Sequence, residues 1–444
     1  MTEDRFMTDL LSKPEPGSGL HESSTRRRVA TATIVGSALE WYDFYLYASM
    51  AALVFGGLFF PKTDGSAGTL AAFATFAVGF LARPIGGLLF GHLGDRIGRR
   101  NVLMMTFVLM GAATGLIGLL PTYETIGVLA PIALVVLRVL QGLGSGAEYS
   151  SAAVVAYEHA SSDRRGRQGA WPALGLNVGL LLSSLTVGAL TSVSEEFVRS
   201  GGWRIPFIAS FALVGVGIWV RRRIPESPAF EQGAEKPSKA QIPLVTLLKR
   251  DWRGLLVVMG IALGYNALSY IFKTFSLAYL SEFQGVAANV GAFGIALASA
   301  AAIVMAPVFG WASDRFGSRR VVLAGGVASA LFAFPFFVLL DTRDTTAIWL
   351  CLVIATGVLA PAMFAPQGAF LSKQFPASVR VSGVGVGREF GGAISGGLAP
   401  MLALAIVGAS ESHATWGVSL ILIASAALVV LAALLDRTKR HAER

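Results

Sequence analysis

Gly91-His92-Leu93-Gly94-Asp95-Arg96-Ile97-Gly98-Arg99-Arg100 is a charged, glycine-punctuated turn set between two long apolar segments. It returns in weaker form as Gly310-Trp311-Ala312-Ser313-Asp314-Arg315-Phe316-Gly317-Ser318-Arg319-Arg320, so that Asp95 and Asp314 stand 219 positions apart in a chain of 444. A chain that repeats its most charged loop at half its length reads as a duplicated unit. In a membrane, two such halves with a site between them suggest a transporter.

The composition places the chain in a membrane. It is 54% hydrophobic and only 14% charged, with a mean hydropathy of +0.63, whereas a soluble domain carries roughly a quarter charged residues. A formal charge of +9 would point to nucleic acid in a soluble protein. Here the basic residues sit in short loops beside apolar segments, which excludes that reading. The single cysteine, Cys351, lies in an apolar run and supports neither a disulfide framework nor a thiol metal site. The first 28 residues are polar, end in Arg26-Arg27-Arg28 and lack the apolar core of a signal peptide.

A spanning helix needs about 20 mainly apolar residues. Twelve candidates run roughly over 30–60, 69–91, 101–120, 126–155, 169–192, 204–221, 254–281, 288–311, 320–340, 347–372, 383–408 and 414–435. The pattern predicts an all-α integral membrane protein: an amino tail (1–28), a six-helix bundle (29–220), a polar central loop (221–253), a second six-helix bundle (254–436) and a carboxyl tail (437–444). The two tails and the loops that follow even-numbered spans hold 28 Lys and Arg, against four (Lys62, Arg199, Arg204 and Arg343) in the alternate loops. Excess Lys and Arg mark the cytoplasmic side, so both termini are expected there.

Ionisable residues within spans cost about 2.5–3.5 kcal/mol each on insertion scales and are functional candidates by default. Glu40, Asp43 and Tyr47 follow three- and four-residue steps in the first span, which puts them on one face. Two carboxylates that close do not both ionise cheaply in a low dielectric. A carboxyl that loads and releases a proton is what a proton-coupled carrier needs, so Asp43, Glu40 and, in the fourth span, Glu148 are the proton-coupling candidates. Arg138, Gln141, Ser145 and Glu148 form one stripe, and the planar, permanently charged fork of Arg138 suits a substrate carboxylate or a first-span acid. The seventh span presents Asn266, Tyr270 and Lys273 on one face, and the eleventh presents Arg388 with Glu389 beside it. Arg138, Lys273, Arg388, Gln141, Tyr47, Tyr270 and Asn266 make up the substrate-binding set. Lys273 has the alternative of snorkelling to the surface, and Arg83-Pro84 reads first as a kink with a packed cation.

Other signals carry no chemistry. Gly142 to Gly146 and Gly383 to Gly387 are glycine-rich, but no strand precedes them, and small residues in apolar helices let neighbours approach. No Walker-type sequence, His-Glu-x-x-His or histidine cluster is present. We expect no cofactor, no metal and no enzyme activity, because no nucleophile–base pair stands out.

Gly91 to Arg100 resembles the loop motif of the major facilitator superfamily, and 310–320 is similar to its second-half copy. Glu40-Trp41-Tyr42-Asp43-Phe44, Leu58-Phe59-Phe60-Pro61, Arg83-Pro84-Ile85-Gly86-Gly87, Arg138-Val139-Leu140-Gln141-Gly142, Glu148 and Pro225-Glu226-Ser227-Pro228 resemble the metabolite:proton symporter family within it. That family includes carriers for shikimate, 2-oxoglutarate, citrate and proline/betaine. The resemblance implies a twelve-helix rocker-switch carrier of the major facilitator fold with a central site between two pseudo-symmetric six-helix bundles, driven by a proton gradient. It also implies a gating role for Asp95, with Arg96, Arg99 and Arg100 in the same loop, and for Asp314 and Arg315 in the second copy. Arg83 and Glu389 join the gating set, the latter because Gly387-Arg388-Glu389-Phe390 departs from the uncharged residues the family suggests there.

The expected function is import of a mono- or dicarboxylate by proton symport through alternating access, in a bacterial inner membrane and by a monomer, with no nucleic-acid partner. A zwitterion such as betaine or proline, its ammonium held by Glu40, Tyr42 and Trp41, is the alternative. A non-transporting membrane sensor on the same fold is the alternative of another class.

Overall fold

The computed structural model describes residues 18–61, 66–221 apart from 98, 147, 159 and 162, residue 247, and 249–436 apart from 377, 378, 411 and 412. The side chains of 18–29, 91–92 and 94–101 lie outside the description. So, apart from its edges, does the proposed central loop, and so do the carboxyl tail and most of the amino tail. The expected gating side chains Asp95, Arg96, Arg99 and Arg100 fall there too.

Twelve long helical segments stand among the described residues. In order, α1 is Ser18–Met50, continued through one π turn at Ala51–Phe55 to Gly56–Phe59; α2 is Ser66–Ile97; α3 is Arg99–Leu119; and α4 is Leu129–Ser145 followed by Glu148–Glu158. Then come α5 (Arg165–Val193), α6 (Arg204–Arg221), α7 (Trp252–Phe283) and α8 (Ala288–Phe316). The last four are α9 (Ser318–Asp341), α10 (Thr345–Ser372), α11 (Arg380–Ala409) and α12 (Trp416–Leu434). Among the described residues ten helices are long and apolar enough to cross a membrane. The apolar part of α3, Met104–Leu119, is shorter, and α6 is 18 residues long. No strand occurs among the described residues, as expected where lipid offers the backbone no hydrogen bonds. Large apolar side chains such as Leu331, Val338 and Trp416 stand exposed on the outer surface, facing where the acyl chains lie.

The sequence reading needs two corrections at element ends. The repeated loop is not a turn throughout: its first seven residues continue α2 to Ile97 and α8 to Phe316. The second copy turns only at Gly317, whose φ of 89° is the left-handed backbone that ends helices at glycine. The eleventh span is not one uninterrupted helix either, since Arg380–Ser395 and Leu398–Ala409 meet at Gly396-Gly397. There a side chain on Gly397 would strike Ala77 of α2.

Within the first half α1 packs on α5, α2 on α4, and α3 on α6; in the second half α7 packs on α11 and α12, α9 on α12, and α8 on α10. Small residues set the α2–α4 contact. A Cβ added to Gly142 would strike the backbone of Gly79, and one on Gly146 or Gly86 would strike the backbone of Arg83 or Leu143. The glycine run read as a packing surface is one. Between the halves, α5 lies against α8 and α2 against α11.

The two ends of the molecule are conveniently named by their loops: a basic face, where 91–100 and 310–320 lie, and the opposite face. Both are closed. At the basic face the Asp314 carboxylate accepts the backbone N–H of Gly166 and of Arg167, the latter at 3.2 Å, and pairs with the Arg167 guanidinium at 3.2 Å. Gly166 lies against Gly310, and Gly169 against Gly368. Arg380 pairs with Glu158 across the halves at 2.6 Å. Arg315, by contrast, is exposed beside Phe316. At the opposite face Thr69 donates to Glu282, and Gly397 meets Ala77.

Asp314 thus caps the start of α5 from the other half, with a carboxylate at a helix amino terminus where the dipole favours it. In a protein carrying Ala170→Cys, at a buried position beside this contact, Asp314→Asn is expected to raise the thiol-labelling rate about tenfold, as loss of a charge-assisted hydrogen bond implies. The native Cys351 is buried, so it gives little background. An unchanged rate would mean that Asp314 does not hold this face shut.

Candidate functional site

The ionic residues of the spans gather at mid-depth, where α1, α2, α4, α7 and α11 converge. Arg83 of α2 is the hub. Its Nε donates to Glu389 Oε2 of α11 at 2.7 Å, and its Nη2 to Glu40 Oε1 of α1 at 3.3 Å. The rings of Trp41, Phe44 and Phe80 surround the guanidinium at 5.7, 5.1 and 5.5 Å. All three charged side chains are buried. Taking such groups out of water costs several kcal/mol per ion, which only close pairing offsets. Pro84 follows Arg83 inside α2.

A small cavity opens beside this hub, lined by Trp41, Phe80, Arg83, Asn266, Arg388 and Glu389. Two buried donors of its lining, Arg83 Nη1 and Trp41 Nε1, have no hydrogen-bond partner in the protein, and neither do Tyr270 Oη, Gln367 Nε2 and Glu40 Oε2 elsewhere among these helices. Arg388 and Glu389, adjacent in sequence, serve different partners. The Arg388 guanidinium lies 3.4 Å from the centre of the Tyr149 ring of α4 and donates to Gln367 Oε1 of α10 at 3.2 Å.

Glu40 and Asp43 do not share a site. Glu40 faces α2, while Asp43 accepts the Ser210 hydroxyl of α6 at 2.8 Å. Arg138 lies in an aromatic box, 3.9 Å from the Tyr47 ring centre and 5.1 Å from those of Phe44 and Phe76. It donates to Gln141, which in turn donates to Thr114 at 2.9 Å. Tyr47 bonds to Thr75. Room for the guanidinium comes from Gly79, where a Cβ would come within 2.9 Å of it. Arg138, Gln141 and Tyr47 therefore stand inside the first half, away from the cavity lining.

Lys273 does not snorkel. It is buried in a π turn of α7, Ile271–Phe275, and donates to Tyr45 Oη of α1 at 3.1 Å and Ser269 Oγ at 2.9 Å. Among the described residues no carboxylate pairs with it. Tyr270 packs against Tyr45, Phe76 and Phe80, and Glu148 is buried within electrostatic reach of Glu40. The sequence reading missed Gln367 and Tyr149, which carried no charge to mark them, and gave Trp41 a place only in the zwitterion alternative.

Arg83→Ala would leave two buried carboxylates facing each other, and the expected loss of stability is about 3–5 kcal/mol. Removing both carboxylates as well (Glu40→Gln, Glu389→Gln) should recover most of it. Thermal melting of the purified variants reads both; equal melting of Arg83→Ala and wild type would deny the hub its structural weight.

The model of the Major Facilitator Superfamily matches residues 33–400, with a second match over 274–444. The shikimate transporter of Escherichia coli (strain K12) is 37% identical over 444 residues, covering 98% of this chain and 100% of that protein. The proline/betaine transporter of the same strain is 34% identical over 396 residues, covering 87% and 79% respectively. Among solved structures, the proton:xylose symporter XylE bound to 6-bromo-6-deoxy-D-glucose superimposes with a TM-score of 0.72 at 15% identity, covering 93% of this chain and 95% of that one. With both halves matched and the central ionic site enclosed between them, the chain belongs to the major facilitator superfamily and is a multi-pass membrane transporter, not an enzyme.

Proposed function

We propose that the protein imports a small organic anion, a mono- or dicarboxylate, together with protons, by alternating access across a bacterial inner membrane. The observation that carries this reading is the small cavity lined by Arg83 and Arg388, where Arg83 Nη1 and Trp41 Nε1 are donors with no partner in the protein. Guanidinium forks match carboxylate geometry, and the relative named as a shikimate transporter favours an organic acid. The excess of Lys and Arg supports a cytoplasmic basic face with both termini on that side.

Asp43 is our first choice for the proton carrier. Glu40 is engaged by the Arg83 guanidinium, whereas a hydroxyl such as that of Ser210 bonds to a carboxyl in either protonation state. Glu40 and Glu148 take second place in the same role. Arg138, boxed by rings next to Asp43 along α1, positions that part of the helix and keeps a positive charge beside it. Coupling then follows from differential affinity: anion and proton together must favour the closed state over the open ones. One carrier of this size has a complete site of its own, so a monomer suffices.

A second reading, uptake of a zwitterion such as betaine, draws on the Trp41 and Phe80 rings beside Glu40 and Glu389 and on the proline/betaine relative. One experiment tests both. In proteoliposomes with an internal pH dye, shikimate or succinate is expected to acidify the lumen in wild type and not in Asp43→Asn, while Arg138→Ala loses uptake. Acidification by betaine alone would select the second reading, and no proton movement with any solute would end the symport proposal.

A further inference from the structure

We infer that Glu389 is a built-in stand-in for the substrate's carboxylate: it occupies Arg83 while the carrier is empty, is displaced by the incoming anion, and takes up a proton when displaced. This rests on the anion-symport reading above.

The geometry distinguishes Glu389 from the other partner of Arg83. Glu40 sits on α1, in the same half as Arg83, and travels with it. Glu389 sits on α11, in the other half, so the 2.7 Å pair joins the halves at the cavity itself. Rocking of the halves must stretch or break that pair and leave the Glu40 pair intact. A carboxylate on a guanidinium is also the contact an organic anion would make. The empty carrier therefore closes with its own carboxylate in the place a substrate would take.

The atoms left without partners indicate what the cavity receives. Two residues of its lining carry such atoms, Arg83 (Nη1) and Trp41 (Nε1), and both atoms are donors only. Both belong to buried side chains. Free donors at a guanidinium call for an oxyanion with further acceptor oxygens.

Charge then sets the proton. The groups facing Glu389 are Arg83 from α2, Glu40 from α1 behind it, Arg388 on its own helix turned toward Tyr149 and Gln367, Glu148 from α4 and the phenol of Tyr270 from α7. Two guanidinium groups already stand among three carboxyls. An extra negative charge in this buried space is costly unless it is neutralised. If a singly charged anion takes Arg83 and the displaced Glu389 carboxylate binds one proton from the water at the open face, the charge of the site is the same before and after. Competition for a single guanidinium thus adds one proton per anion to any that Asp43 carries.

The test separates net symport from exchange in proteoliposomes, with shikimate and succinate as probes and betaine as control. In Glu389→Gln, which keeps the shape but neither competes as an anion nor takes a proton, the probe that wild type transports is expected to bind about tenfold tighter. Its exchange across the membrane should persist, while the number of protons taken up per anion should fall by one. Glu389→Asp, which retains charge and proton, should stay coupled. An unchanged proton-to-anion ratio with unchanged affinity in Glu389→Gln would overturn the inference and leave the symport reading intact. A wild type that moves only betaine would overturn both. Should Glu389→Gln not fold, infrared difference spectra of the Asp43→Asn protein decide: the probe anion should raise a protonated-carboxyl band, and its absence would overturn the inference.

Discussion

Charge is costly away from water, and the spans of this protein bury many ionic side chains. Each ionised group buried between the helices must therefore find its counter-charge, its hydrogen bonds or its aromatic face within the protein. Arg83 meets that demand with two carboxylates and three rings; Arg138 meets it with three rings and an amide; Lys273 with two hydroxyls. Because these solutions draw on α1, α2, α4, α7 and α11 together, satisfying the charges and assembling the centre of the molecule are one process. The helices are positioned by what their ionic residues require of one another.

Such a centre needs helices that approach closely around it. The small-residue contacts of α2 with α4 bring the Arg83 and Arg138 helices together, and a side chain at Gly79 would occupy the space the Arg138 guanidinium fills. π turns fall in α1, α7 and α10, and the first of the two in α7 carries Lys273. Each inserts an extra residue into a turn, which re-aims the side chains that follow it.

Much of this was legible in the chain. Apolar runs and loop charges located the helices, and the paired loops at 91 and 310 announced two halves. The glycine runs read correctly as packing surfaces, because an apolar helix has no other use for them. What escaped was direction. Residues three apart on a helix differ by roughly 60° and adjacent ones by about 100°. That is enough to send Glu40 toward Arg83 and Asp43 toward Ser210, or Glu389 toward Arg83 and Arg388 toward Tyr149. Spacing restricts a face; which neighbour occupies it depends on how twelve helices pack. Gln367 and Tyr149 reach the site only through that packing, and nothing in their local sequence marks them.

The closures at the two faces share one trait. Gly166 lies on Gly310 and Gly169 on Gly368 at one end, and Gly397 on Ala77 at the other, so backbone meets backbone with few side chains interlocked. Surfaces of this kind freeze almost no rotamers when they meet and have no long side chains to withdraw when they part. Opening is then a clean parting of smooth walls, with little friction beyond the few polar ties. The same smoothness makes both ends intolerant of bulk: any larger residue at these points would act as a doorstop, wedging its face open. Speed of turnover and vulnerability to mutation are in this way two readings of the same few glycines.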